Sequence, residues 1–186
     1  MIPVGYMAKQ VITRPEWIKN PDVTDIYSVS SCISDNFADY INYWKHNGYW
    51  LFDEPDIIRQ LAKEASIDLS AMQFFYYEVY ELQFDEEKAQ WLSFKADESF
   101  LTDVLAPETM TLEGYDVVSF MARTSRECSP LSCNSLARSI QTNSHCLLSS
   151  FEDAKRHIET GSFNNSEPGP YRIFAVYTLG RKTPSS

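Results

Sequence analysis

Residues 72–84 read Met-Gln-Phe-Phe-Tyr-Tyr-Glu-Val-Tyr-Glu-Leu-Gln-Phe, and this run limits the fold more than any other stretch. Aromatic and branched side chains fit a pleated, half-buried surface, and no Gly or Pro interrupts the run. One face carries Phe74, Tyr76, Glu78, Tyr80, Leu82 and Phe84; the other carries Gln73, Phe75, Tyr77, Val79, Glu81 and Gln83. The period-two alternation is partial, which predicts a strand covered on one face and partly covered on the other. A turn at 85–88 leads to a second strand at 90–95, so the pair forms an acidic-tipped hairpin.

Further strands are expected at 6–13, 25–30, 115–122 and 171–179. Phe37, Tyr40, Ile41 and Trp44 repeat at helical spacing behind Asp35 or Asn36 as cap. Pro55 opens a second helix with Ile57, Ile58, Leu61, Ala62 and Ala65 as its apolar stripe. Ser150 caps a third, in which Phe151, Ala154 and Ile158 face inward and Gly161 ends the helix. A short helix is expected near 134–140. Residues 96–112 lack a clear period and read as a loop. Strands and helices mix without regular βαβ alternation. The expectation is an α+β single domain over 1–179, a mainly antiparallel sheet with three to four helices packed against it. Residues 180–186 form a polar C-terminal tail. The supply of core is ample: 26 of 186 residues are Phe, Tyr or Trp, each able to bury about 150–250 Å².

Charge is distributed unevenly. Residues 53–113 hold 15 of the 26 acidic side chains against four basic ones, while the whole chain nets −10. Nucleic-acid binding rests on clustered Lys and Arg, and here the 16 basic residues are dispersed. A basic protein partner is electrostatically favoured, because complementary fields steer association. Asp53, Glu54, Glu81, Asp85, Glu86, Glu87, Asp97 and Glu98 form the expected acidic face, with Tyr77 and Trp91 as exposed aromatic anchors. The functional expectation is an acidic interaction module, in its most concrete form an immunity or inhibitor protein covering a basic toxin or nuclease. No apolar run reaches the roughly 18 residues of a membrane helix, and no secretory leader is read at the N-terminus. A cytoplasmic protein with reduced thiols and no cofactor is the default expectation.

The competing expectation is a thiol- or zinc-dependent enzyme or small-ligand-binding domain built on residues 128–146. Cys128, Cys133, His145 and Cys146 are the ligand types zinc takes. Adjacent His145 and Cys146 rarely aim at one ion, so the set lacks the paired spacing of common fingers. Cys133 with His157 is the candidate nucleophile and base, provided that the fold brings them together. Glu78 lies on the more apolar face of the long strand, where desolvation would raise its pKa for acid–base work unless a cation such as Arg172 pairs with it. The turn-rich stretch 164–172 is a candidate binding loop.

Overall fold

The computed structural model describes residues 1–30, 32–33, 36–40, 43, 49–96, 103–120 and 128–180. Eight strands occur among them: β1 (Ile2–Gln10), β2 (Ile12–Thr13), β3 (Asp25–Ile26), β4 (Met72–Val79), β5 (Leu82–Asp85), β6 (Gln90–Ser93), β7 (Met110–Ser119) and β8 (Tyr171–Leu179). Two α-helices accompany them, α1 (Pro55–Ala65) and α2 (Phe151–Glu159).

β8 is the axis of the main sheet. Along one edge it pairs with β7 over its full length. Along the other it pairs with β4, from Phe75↔Thr178 to Val79↔Phe174, and then with β5 at Phe84↔Tyr171. The stretch 72–84 is therefore two strands on one edge, broken at Tyr80 and Glu81, where Leu82 N–H turns back onto the Tyr80 carbonyl. β1 continues the sheet beside β4, and β6 beside β5. All these pairings are antiparallel, so the architecture is a mixed one with a mainly antiparallel sheet.

Among the described residues the expectation of three to four helices is not met. The stretch at 134–140 is a short 3-10 turn, Ser135–Arg138, capped by Asn134. The first expected helix shows a 3-10 turn at Ala38–Tyr40, and most of its remainder, with Trp44, lies outside the described residues. α1 and α2 stand as expected because each has a local stop or start signal. Ser150 Oγ accepts the Asp153 N–H at the start of α2, and Ser66 adopts the left-handed conformation at the end of α1. β7 begins at Met110, inside a segment read as loop, since its exposed first residues carry no apolar pattern. Past Gly180, the expected tail lies outside the described residues.

The long strand is covered on one face and partly covered on the other, as its partial alternation predicts, but the fully buried face is that of Phe75, Tyr77 and Val79, while Phe74, Glu78 and Tyr80 on the other are half-buried. Phe75, Tyr77 and Val79 form one inner face with Phe174 and Val176. Residues 25–30 cross this face, with Tyr27 edge-on to Phe75 and Val29 in the same core. On the opposite face α2 buries Ala154 and Ile158 with Val117 and Ile173, and Phe151 stacks on Tyr80 at 3.7 Å. The connection 128–148 closes the free edge of β7: Ser119 N–H donates to the Cys128 carbonyl, and Tyr115 exchanges two backbone bonds with Leu148. A covered edge offers no template for further strand pairing.

Candidate thiol site

Asp116 on β7 is the residue that brings two distant loops together. It is fully buried, and its carboxylate accepts from Ser28 Oγ (3.1 Å), Val29 N–H (2.8 Å) and Ser129 Oγ (2.5 Å). Burial pushes its pKa up to about 6, although Ser129, Val29, Ser28 and the nearby Lys9 charge all pull the other way. Lys9 on β1 is itself buried, and its ammonium donates to the Ser28 carbonyl (2.7 Å) and to the Ser30 carbonyl. Together these groups fix residues 28–30 against loop 128–133.

That fixing brings three thiols to one point. The sulfurs of Cys32, Cys128 and Cys133 all lie within 4.8 Å of one another. Cys32 Sγ is 3.7 Å from Cys128 Sγ, far beyond a disulfide bond of about 2.05 Å. A tetrahedral ion with Zn–S near 2.3 Å sets its sulfurs about 3.8 Å apart. The Cys133 thiol also donates to Ser30 Oγ at 3.6 Å. Cys32 is exposed, Cys133 half-buried and Cys128 buried, so the cluster opens to solvent at one corner. Hydrogen bonds from Cys128 and Cys133, then from Ser30, together with the Lys9 charge, hold the Cys32 thiol well below its usual range. Its neighbour Cys128 moves up, because its hydrogen bonds to Cys133 and Cys32 favour the protonated form and burial adds to them. Among the described residues no fourth Cys, His, Asp or Glu joins the group.

Cys128 and Cys133 of the expected set are thus brought together, and Cys32 completes the group. Cys146 is buried with its sulfur on the Leu131 carbonyl at 3.4 Å, and burial pushes its thiol up to about 12. His145 sits against Asp25 at 2.5 Å, lies 3.7 Å from Glu113 and stacks on Tyr27. His157 bonds through Nδ1 to Ser162 Oγ at 3.0 Å and leans on Phe163. Its partners therefore differ from those of Cys133. Glu78 accepts from Tyr76 Oη (3.1 Å) and Tyr177 Oη (3.0 Å). The register places Glu78 opposite Ala175 and Val79 opposite Phe174, so Arg172 projects from the other face of the sheet. Arg172 is buried between two rings, its guanidinium carbon 3.3 Å from the centroid of Phe94 and 3.9 Å from that of Phe120. Desolvation lowers its pKa to about 10.

The acidic residues divide into structural and exposed ones. Glu86 accepts from Gly169 N–H and Tyr171 Oη, which anchors the turn-rich loop 164–170 to the hairpin. Asp85 pairs with Lys88 across the same turn. Trp91 is half-buried, packs on Phe84 and donates to Glu159 at 2.7 Å. Tyr77 corrects the expected partner surface: it is fully buried in the core and cannot reach a partner. Glu54, Glu81 and Glu87 are exposed and Asp53 is half-buried, while Asp97 and Glu98 lie outside the described residues.

Sequence reading missed Cys32, Lys9, Asp116 and the serines around them. The local half of the signal was the four-residue spacing of Cys128 and Cys133, within the range that zinc ligands use. Nothing in the sequence ties Cys32 to a loop 96 residues away. Comparison with models of known families, with curated proteins and with solved structures finds no match to this chain.

Proposed function

We propose that this chain is a zinc-binding protein that holds the ion through the thiolates of Cys32, Cys128 and Cys133 and leaves one coordination position open. The observation that carries the reading is the convergence of three sulfurs within 4.8 Å, at a spacing that suits one tetrahedral ion. Thiolate ligands favour zinc over magnesium or calcium, which take oxygen. Bound zinc would pin Cys32 to loop 128–133, adding its binding energy to the fold. The open corner beside exposed Cys32 suits a water or a small ligand atom, the arrangement of zinc sites that do more than cross-link.

The test is zinc retention by reduced protein dialysed against a moderate chelator. One zinc per chain is expected, with affinity falling at least about 100-fold in Cys32→Ser, Cys128→Ser and Cys133→Ser. Cys146→Ser leaves affinity unchanged. Retention of no zinc, or equal loss in Cys146→Ser, overturns the reading. Absence of zinc together with a rapid Cys32–Cys128 disulfide would replace it with a redox function.

A second reading keeps the acidic surface as a docking face for a basic protein. Its support is that Glu54, Asp56, Glu81, Glu87 and Asp103 remain exposed. Binding to a basic partner that does not weaken with added salt would remove it.

A further inference from the structure

Two of the three clustered thiols stand on a fixed platform. Ser119 N–H donates to the Cys128 carbonyl (2.9 Å), Cys133 N–H donates to the Ser129 carbonyl (2.9 Å), and Ser129 Oγ donates to buried Asp116. Cys32 arrives from 96 residues earlier in the chain. Its amide donates to Ser30 Oγ at 3.1 Å, within its own segment. Cys32 is also the exposed member of the group, whereas Cys128 is buried and Cys133 half-buried. A reagent in solution therefore meets Cys32 first.

The other two sulfurs are not equivalent as partners for Cys32. Cys128 Sγ is in van der Waals contact with it at 3.7 Å. The Cys133 thiol is turned to Ser30 Oγ at 3.6 Å, with Ser132 Oγ 4.0 Å away. A disulfide holds its sulfurs about 2.05 Å apart, so joining Cys32 to Cys128 takes a closure of about 1.6 Å. Exposed Cys32 can supply that movement and leave the platform in place. An exposed thiol with a second thiol poised beside it oxidises to a disulfide in preference to the irreversible sulfinic acid. Cys146 takes no part, since its sulfur is buried on the Leu131 carbonyl at 3.4 Å.

We propose that hydroperoxides open the zinc site by joining Cys32 to Cys128 in a disulfide, which expels the ion. This regulation rests on the zinc reading above. The Cys32 thiolate attacks one peroxide oxygen, the O–O bond breaks, and the other oxygen leaves as hydroxide or alkoxide. The resulting sulfenic acid is attacked at sulfur by the Cys128 thiolate; the S–S bond forms, the S–O bond breaks, and a second hydroxide leaves. The two sulfurs together lose two electrons, the peroxide gains two, and water protonates both leaving oxygens. Cys133 alone cannot hold zinc. The disulfide then takes over the tie between Cys32 and loop 128–133. The cross-link persists in both states, while the ion and whatever occupies its open position are present in one.

The experiment adds a small excess of hydrogen peroxide to zinc-loaded, reduced full-length protein. A chromogenic chelator follows zinc, and peptide mass spectrometry maps the cysteines. Zinc release is expected in step with a Cys32–Cys128 cross-link, and dithiothreitol should restore both thiols and zinc binding. Metal-free protein should form the same cross-link. There Cys32→Ser should slow thiol loss at least about tenfold, whereas Cys133→Ser should still form the cross-link. Where a variant does not fold, the wild-type mapping decides alone. Sulfinic acid at Cys32 in place of a cross-link, or any disulfide other than Cys32–Cys128, overturns the inference. Protein that binds zinc and keeps it in excess peroxide overturns the switch alone; reduced protein that binds no zinc overturns the zinc reading and the switch with it.

Discussion

Replacing Asp116 by Ala should loosen the fold and the thiol cluster together. The carboxylate is the acceptor for Val29 N–H, Ser28 Oγ and Ser129 Oγ, all in buried surroundings. The hydroxyls can rotate toward other acceptors, but the Val29 amide cannot, and an orphaned buried donor costs about 1–3 kcal/mol. Lost anchoring of the two loops adds to this, and relief from burying a carboxylate subtracts from it. The expected net loss is about 2–4 kcal/mol in urea unfolding, read as a lower midpoint at constant slope. The pH dependence follows from the upward shift of Asp116 from 3.8 to about 6. The folded state holds the proton more tightly than the unfolded chain does. This contribution is fully present below pH 3.8 and is lost as pH rises through about 6. Wild-type stability should therefore fall, relative to Asp116→Asn, by on the order of 3 kcal/mol across that window. Zinc affinity should fall at least about tenfold in Asp116→Ala, because residues supporting metal ligands carry effects of that size. An Ala variant within about 0.5 kcal/mol of wild type, or parallel pH profiles for wild type and Asp116→Asn, would refute the reasoning.

Three further outcomes follow from local geometry. Gly114 has φ +151°, and an added Cβ would meet Leu147 Cβ and the Leu148 carbonyl oxygen at 2.8 Å each; Gly114→Ala should destabilise by more than about 2 kcal/mol in thermal or urea unfolding. Ser150→Ala removes the acceptor of the Asp153 N–H at the start of α2 and should cost about 1 kcal/mol, measured by the same unfolding. In metal-free protein, thiol labelling followed by peptide mapping should find Cys32 the fastest and Cys146 the slowest, the first being exposed with a lowered pKa and the second buried with a raised one.

The sequence disclosed the parts of the fold whose signals are local. The strand signal of 72–84, the turn after Phe84, the cap at Ser150 and the proline-led start of α1 each lie within a few residues. Residues 110–114 of β7 were missed because their place in the sheet comes from β8, some 60 residues onward, and not from their own pattern. Tyr77 was misplaced for a related reason: alternation shows that a strand has two faces, but residues 25–30 decide which of them is fully covered. The candidate site was half legible. Cys128 and Cys133 announce themselves by spacing, whereas Cys32 is brought to them by tertiary hydrogen bonds, those of Asp116 and Lys9 among them, which no periodicity encodes. The acidic segment shows the limit of composition. Glu86, Asp85 and Glu113 are engaged within the fold, so net charge overstated the acid available to a partner.

The central claim is that three thiolates from two distant loops hold one ion. X-ray absorption at the zinc edge of the purified, reduced protein tests it most directly. The account predicts three sulfur ligands at about 2.3 Å and one lighter donor, falling to two sulfurs in Cys32→Ser. A shell of nitrogen and oxygen alone, or an unchanged sulfur count in Cys32→Ser, would contradict it.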